Sequence, residues 1–295
     1  MRPDSTFRST FQLHRCDIGA FESLVRLLEL TKPHEVYNLA AQSSVQLSFE
    51  QPLETFKTVG VGVLNLLEAV RLVDTNIKLF QASSSEIYGK CASHPQDEST
   101  SVYPCSPYAS AKLMAQHAVR MYREAYGLHA CVGIFYNHES SRRGLNFVTQ
   151  KIIDGVVRIK YGLLDKIELG NLDAQRDWGH ARDFASCSWK ILQLDEPEDF
   201  VVATGKSHSV RDFVLLSFMA VGIEVVFENQ GLNEIGKIKS TGRVVVTVNP
   251  AFFRPVEPTI SVGNPDKALA KLNWKPTISL AEMIAEMITA CVASI

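Results

Sequence analysis

The chain has 295 residues, 46% hydrophobic and 21% charged, which is enough for one large or two modest globular domains with substantial cores. A net charge of −2 and a pI near 6.5 exclude the basic footprint of a nucleic-acid binder or of a protein drawn to anionic membranes, and leave a small anionic ligand open. The six cysteines, at 16, 91, 105, 131, 187 and 291, form no CxxC pair and meet no histidine at ligand spacing, so no metal site and no disulfide framework is expected, and reduced thiols suggest a cytoplasmic protein.

The opening MRPDSTFRST lacks the apolar centre of a signal peptide. Short apolar runs then alternate with helical patterns: VYNLAA (36–41) before a helix near 53–72, IKLFQAS (77–83) before a helix near 108–126, and ACVGIFYN (130–137) before a helix near 145–162. This alternation predicts an α/β fold, a doubly wound parallel Rossmann-type sheet, in which ligands bind beyond the carboxyl ends of the strands, after Ala40, Ser83 and Asn137. Polar clusters stand at those three places: AQSS, SSSE and NHESSRRG. Beyond about residue 162 the elements shorten, DFVVATG (199–205) reads as a further strand, and LAEMIAEMITACV as a last amphipathic helix. The expected division is a cofactor-binding and catalytic domain over 1–162 and a smaller C-terminal substrate domain over 163–295, with segments interwoven. The longest apolar tract, FVLLSFMAVGIEVVF, is broken by Ser217, Gly222 and Glu224, so no membrane segment is expected. The only Gly-x-Gly, Gly60-Val61-Gly62, falls inside a predicted helix and reads as close helix packing rather than a phosphate loop.

In SPYASAK (106–112), Tyr108 and Lys112 share a helix face, and a lysine ammonium about 4 Å from a phenolate stabilises it by about 4 kcal/mol at an effective dielectric of 20. Tyrosine then becomes a base for an alcohol, which Ser84 can hold by a hydrogen bond while Glu86 offers a second acid or base for a neighbouring carbon. Arg142 and Arg143 follow a strand end, and Arg176, Arg182, Arg254 and Lys151 add cations able to converge on a diphosphate or to serve as ordinary surface charge. His138 and His180 read as structural or cofactor-adjacent.

In order and spacing, SSSEIYG, YPCSPYASAK, NHESSRRG, LGNLDAQRDWGHARD, PEDFVVATG, FFRPVE and LNWKP resemble the GDP-mannose 4,6-dehydratase family of extended short-chain dehydrogenases/reductases, from about residue 12 nearly to the C-terminus. The resemblance implies dehydration of GDP-mannose to GDP-4-keto-6-deoxymannose with NADP as the cofactor. It implies Tyr108, Lys112 and Ser84 acting on the sugar 4-hydroxyl, Glu86 removing the C5 proton, and Glu86 or Ser84 protonating the departing C6 hydroxyl. Cofactor contacts carried over are Asp17, Ile18, Leu39, Ala40, Ala41, Gln42, Ser43, Tyr108, Lys112, His138 and Arg143. Substrate contacts are Ser85, Asn137, Lys151, Arg176 and Arg254, and the implied assembly is a dimer or tetramer. Members of the family begin with a GxxGxxG turn, and roughly two βα units of that start are expected to be missing here, RPDSTFRST being a remnant of the loop that follows them. Other departures are Ser84 for threonine, Ser141 for proline, Glu54 for tyrosine, Gln150 for arginine and Ser44 for histidine. A non-catalytic homologue that binds a sugar nucleotide or a full-length subunit, and another nucleotide-sugar dehydratase or epimerase, are the alternative readings.

Overall fold

A computed structural model describes residues 11–253, 256 and 260–295, so the RPDSTFRST segment and Arg254 lie outside the described residues. Four strands, Glu35–Asn38, Lys78–Ser84, Ala130–Phe135 and Asp199–Val202, lie side by side in that order, all parallel. The side chains of the last three face helices on both sides, which is why they read as near-continuous apolar runs, whereas Tyr37 of the first is 37% exposed. Leu79, Phe80, Val132, Ile134, Phe200 and Val201 are buried. Helix Pro107–Tyr126 covers one face of the central strands and helix Ala181–Leu192 the other. The first of these starts where its chemistry dictates: the Ser106 side chain accepts from the Ala109 amide at 3.1 Å, and Pro107 fills the first helical position. It stops at Gly127, whose φ of 68° is left-handed.

The strand expected over 36–41 ends at Asn38, because the Asn38 side chain accepts from the Ala40 amide at 3.1 Å and turns the chain. The run 130–137 divides at Tyr136: Ala130–Phe135 stays in the parallel sheet, while Asn137–Glu139 pairs in parallel with Trp178–His180. The Tyr136 ring is buried and its phenol donates to Gln96 Oε1 at 2.6 Å, which holds the chain at this break. The helix expected over 53–72 is a continuous helical run from Pro52 to Val73 with a π-turn at Lys57–Val61. Its Gly60 and Gly62 are packing positions. A Cβ on Gly60 would lie 2.9 Å from Met114 Sδ, and one on Gly62 would lie 2.8 Å from Ile18 Cγ2.

A second core is built from helices Val148–Lys160, Val210–Ala220 and Leu280–Val292 with a sheet of Val225–Glu228, Ile235–Ile238, Val244–Val248 and Ile167–Leu169. The two cores interleave along the chain: Phe184, Phe200–Ala203 and Ala268–Trp274 belong to the first, although they follow Ile152–Ile159 of the second. Two buried aspartates pin the crossings. The Asp177 carboxylate accepts from Thr204 N, Thr204 Oγ1, Gly205 N and Gly263 N at 2.8, 2.6, 2.9 and 3.3 Å. Asp183 accepts from Thr277 N, Thr277 Oγ1 and Ile278 N, and its carbonyl takes the Trp274 indole N–H. Among the described residues, no helix is long and apolar enough to cross a membrane, and no cluster of His, Cys, Asp and Glu is arranged to hold a metal ion.

Candidate active site

Ser84 is the last residue of its strand, and Ser85–Ile87 turns over at once into a short 3-10 helix whose cap is Ser84 itself, its Oγ accepting from the Glu86 amide at 3.3 Å. That tight turn places Ser84, Ser85 and Glu86 at the carboxyl edge of the sheet. Helix Pro107–Tyr126 brings Tyr108 and Lys112 to the same edge, the small residues Ala109, Ala111 and Ala115 letting it lie close against the strands. Tyr108 is 8% exposed and Lys112 4%.

Burial is the largest influence on the Tyr108 phenol and pushes it up to about 12. A hydrogen bond from Ser84 works in the opposite direction, the Glu86 charge raises the phenol further, and the Arg143 charge lowers it. Ser84, Glu86, Tyr108 and Arg143 are therefore within electrostatic reach of one another. Lys112 Nζ lies 5.8 Å from the Tyr108 ring centroid and donates to the Ala82 carbonyl at 2.8 Å. Burial alone lowers its pKa to about 8. The side chain emerges one helical turn deeper than Tyr108, where the backbone oxygen of the neighbouring strand takes its hydrogen bond.

His138 stacks on Phe184 with centroids 5.1 Å apart and meets Phe135 edge-on. Its burial lowers its pKa to about 4, so the ring is neutral, and with Nδ1 donating to the Tyr136 carbonyl at 3.0 Å its Nε2 is an acceptor. Arg143 places its guanidinium over the Phe147 ring at 3.6 Å, and its Nε is 2.9 Å from Glu139 Oε2 without hydrogen-bond alignment. Glu139, 1% exposed, also accepts from Thr149 at 2.8 Å, and burial raises its pKa to about 6. Asp17 Oδ1 accepts from the Gly19 amide at 2.8 Å, and Asn65 clamps the Ile18 and Gly19 carbonyls at 3.2 Å, holding that turn against helix Gly62–Val73. Leu39 is 64% exposed just past its strand, followed by Ala40, Ala41, Gln42 and Ser43, with Gln42 Nε2 donating to the Ser44 carbonyl and to Thr55.

Of the anticipated substrate contacts, Ser85 and Arg176 line one small polar cavity together with Glu86, Gly89, Gln96, Ile260 and Ser261. Asn137 lies beside Trp178 in the two-strand ladder. The Lys151 ammonium lies 3.4 Å from the Phe252 ring centroid. Sequence reasoning passed over Gln96, Ser261 and Glu139. Gln96 stands in the polar run QDEST, which carries no spacing signal, and Glu139 sits in NHESSRRG, where the arginines draw the eye.

A parallel sheet with a buried Tyr–x–x–x–Lys helix against a serine- and glutamate-bearing strand end defines an extended short-chain dehydrogenase/reductase. The fold is shared with RMD from Pseudomonas aeruginosa complexed with NADPH, at a TM-score of 0.84 and 22% identity over 98% of this chain and 94% of that one. It is also shared with the Thermus thermophilus UDP-glucose 4-epimerase complex with NAD, at 0.79 and 26% over 95% and 85%. The profile of the GDP-mannose 4,6 dehydratase family matches residues 1–287. The Homo sapiens GDP-mannose 4,6 dehydratase is 48% identical over 290 residues, 98% of this chain and 78% of its own length, and the Vibrio cholerae enzyme is 47% identical over 292 residues, 95% and 78%. The chain belongs to the GDP-mannose 4,6-dehydratase family.

Proposed function

We propose that this protein converts GDP-mannose to GDP-4-keto-6-deoxymannose with NADP, in the cytoplasm and as a homo-oligomer. The observation that carries the reading is the meeting of Ser84, Glu86 and the buried Tyr108 at one strand end, within the family to which the chain belongs. The described residues fit the nicotinamide half of the cofactor. Lys112 is buried with a single hydrogen bond, to Ala82, and Leu39 offers bare apolar surface just past its strand. Among the described residues the only Gly-x-Gly is filled by Met114 and Ile18 and offers no cradle for the pyrophosphate.

When bound, NADP supplies a reversible store for one hydride. Tyr108 takes the proton of the sugar 4-hydroxyl. Ser84, which already hydrogen-bonds the phenol, steadies the phenolate and the hydroxyl together. Lys112 keeps a positive charge deep in the pocket, one of its protons committed to Ala82 and two free for ribose hydroxyls. Once the 4-position is a ketone, the C5 proton is acidified; Glu86 removes it and returns a proton to the C6 oxygen as it leaves. His138, neutral with Nε2 as acceptor, and Arg143 contact the cofactor side, whereas Asn137, Lys151, Arg176 and Arg254 serve the sugar nucleotide.

The test is incubation of the purified protein with NADP and GDP-mannose, following loss of one water from the sugar nucleotide by mass spectrometry. Wild type is expected to turn over and Glu86→Gln to stop before water is lost, no further than the 4-keto sugar nucleotide. Turnover of a UDP- or dTDP-sugar in place of GDP-mannose, or undiminished activity in Glu86→Gln, refutes the assignment.

A further inference from the structure

The cavity beside Glu86 is small, about 10 Å³, which is close to the least space that holds a single water. Its lining is polar, with Ser85, Glu86, Gln96, Arg176 and Ser261 contributing. Gln96 is 2% exposed, and its backbone is stitched on both sides: its amide donates to the Val262 carbonyl at 2.9 Å and its carbonyl accepts from the Asn264 amide at 2.8 Å. Its side chain has one orientation. The Tyr136 phenol donates to Gln96 Oε1, so the amide nitrogen is the end left over, and Nε2 makes no hydrogen bond to any described residue. Gln96 lines the cavity, and that space is where an acceptor for its amide nitrogen fits.

We propose that this cavity is the seat of the departing oxygen, and that Gln96 Nε2 donates a hydrogen bond to it. The inference rests on the dehydratase reading above. In that step the pair of electrons left at C5 when Glu86 takes the proton forms the C5=C6 double bond. The C6–O bond breaks with its electrons on oxygen, Glu86 delivers its proton there, and the product water sits in the cavity against Gln96. A water-sized pocket of this kind favours a hydroxyl leaving group over a bulkier one, and separates water loss from the earlier removal of the C5 proton.

That separation provides the test. Gln96→Met keeps the volume and the backbone bonds while removing the donor, together with the Oε1 that accepts from the Tyr136 phenol, a loss that Tyr136→Phe reproduces by itself. In deuterated water the enzyme is expected to incorporate deuterium at C5 of unreacted GDP-mannose whenever proton removal reverses before water leaves. For Gln96→Met, product formation should fall at least tenfold, the ratio of C5 exchange to product should rise at least tenfold, and the dissociation constant for GDP-mannose should stay within about twofold. Tyr136→Phe, which keeps the amide but releases its anchor, should move the ratio in the same direction by a smaller factor. If exchange and product fall together, or neither changes, Gln96 has no part in departure. If wild type dehydrates no GDP-mannose at all, the dehydratase reading itself fails, a result distinct from either.

Discussion

Replacing Lys112 by methionine is expected to stabilise the fold while abolishing turnover. The side chain is 4% exposed, and burial lowers its pKa from 10.5 to about 8. Unfolded, the lysine binds its proton up to the ordinary value; folded, it releases it sooner. The cost of burying the charge is therefore fully present below pH 8 and is relieved as pH rises towards 10.5. That gap is worth roughly 3 kcal/mol at about 1.4 kcal/mol per tenfold. Against it stands the hydrogen bond to Ala82, worth about 1 kcal/mol. The Ala82 carbonyl is not orphaned in the variant, because Gln81 Nε2 also donates to it at 2.8 Å. Lys112→Met should thus gain about 2 kcal/mol in urea unfolding at neutral pH, with the gain shrinking below about 1 kcal/mol near pH 9.5. A variant no more stable than wild type, or a gain independent of pH, would refute the account of this lysine as a charge held in the pocket for function at the expense of stability.

Three further outcomes follow from the packing. Asp177→Ala strands four donors on Thr204, Gly205 and Gly263 and should cost at least about 3 kcal/mol in denaturant unfolding, with Asp177→Asn recovering part of it. Glu139, raised from 4.5 to about 6, contributes stability that is complete below the lower value and lost as pH passes the higher one. The melting temperature of Glu139→Gln relative to wild type should rise across that window and level off above it. At Gly89, φ is +49° and an added Cβ would stand 1.9 Å from the Tyr103 carbonyl oxygen, so Gly89→Ala should lose roughly 3 kcal/mol or more by chemical denaturation.

Much of this architecture was legible in the chain. The Ser106-Pro107 pair announces a helix start, and the four-residue interval from Tyr108 to Lys112 puts both on one face, as found. The packing role of Gly60 and Gly62 also followed from their place in a helical pattern without a preceding strand. What sequence could not convey was direction. Spacing brings Lys112 level with Tyr108 but does not reveal that the ammonium donates to the Ala82 carbonyl. Nor does a run of apolar residues show where a strand ends. Tyr136, at the point where the run divides, is held by Gln96, forty residues earlier in the chain, and that pairing exists only once the fold has brought them together. Glu139 is hidden for a similar reason: a glutamate in a charged loop reads as solvated until the tertiary structure closes over it.

The second core has a consequence for synthesis. Its apolar side chains span Ile152 to Cys291, and helix Leu280–Val292 packs against both Val148–Lys160 and Val210–Ala220. A ribosome making this chain releases the earlier two helices long before the last one exists. During that interval their apolar faces lack their final cover, and this is when the nascent chain is most prone to aggregate or to need a chaperone. Slow translation between the codons for residues 220 and 280 would lengthen that exposure. Losing the last helix would make it permanent.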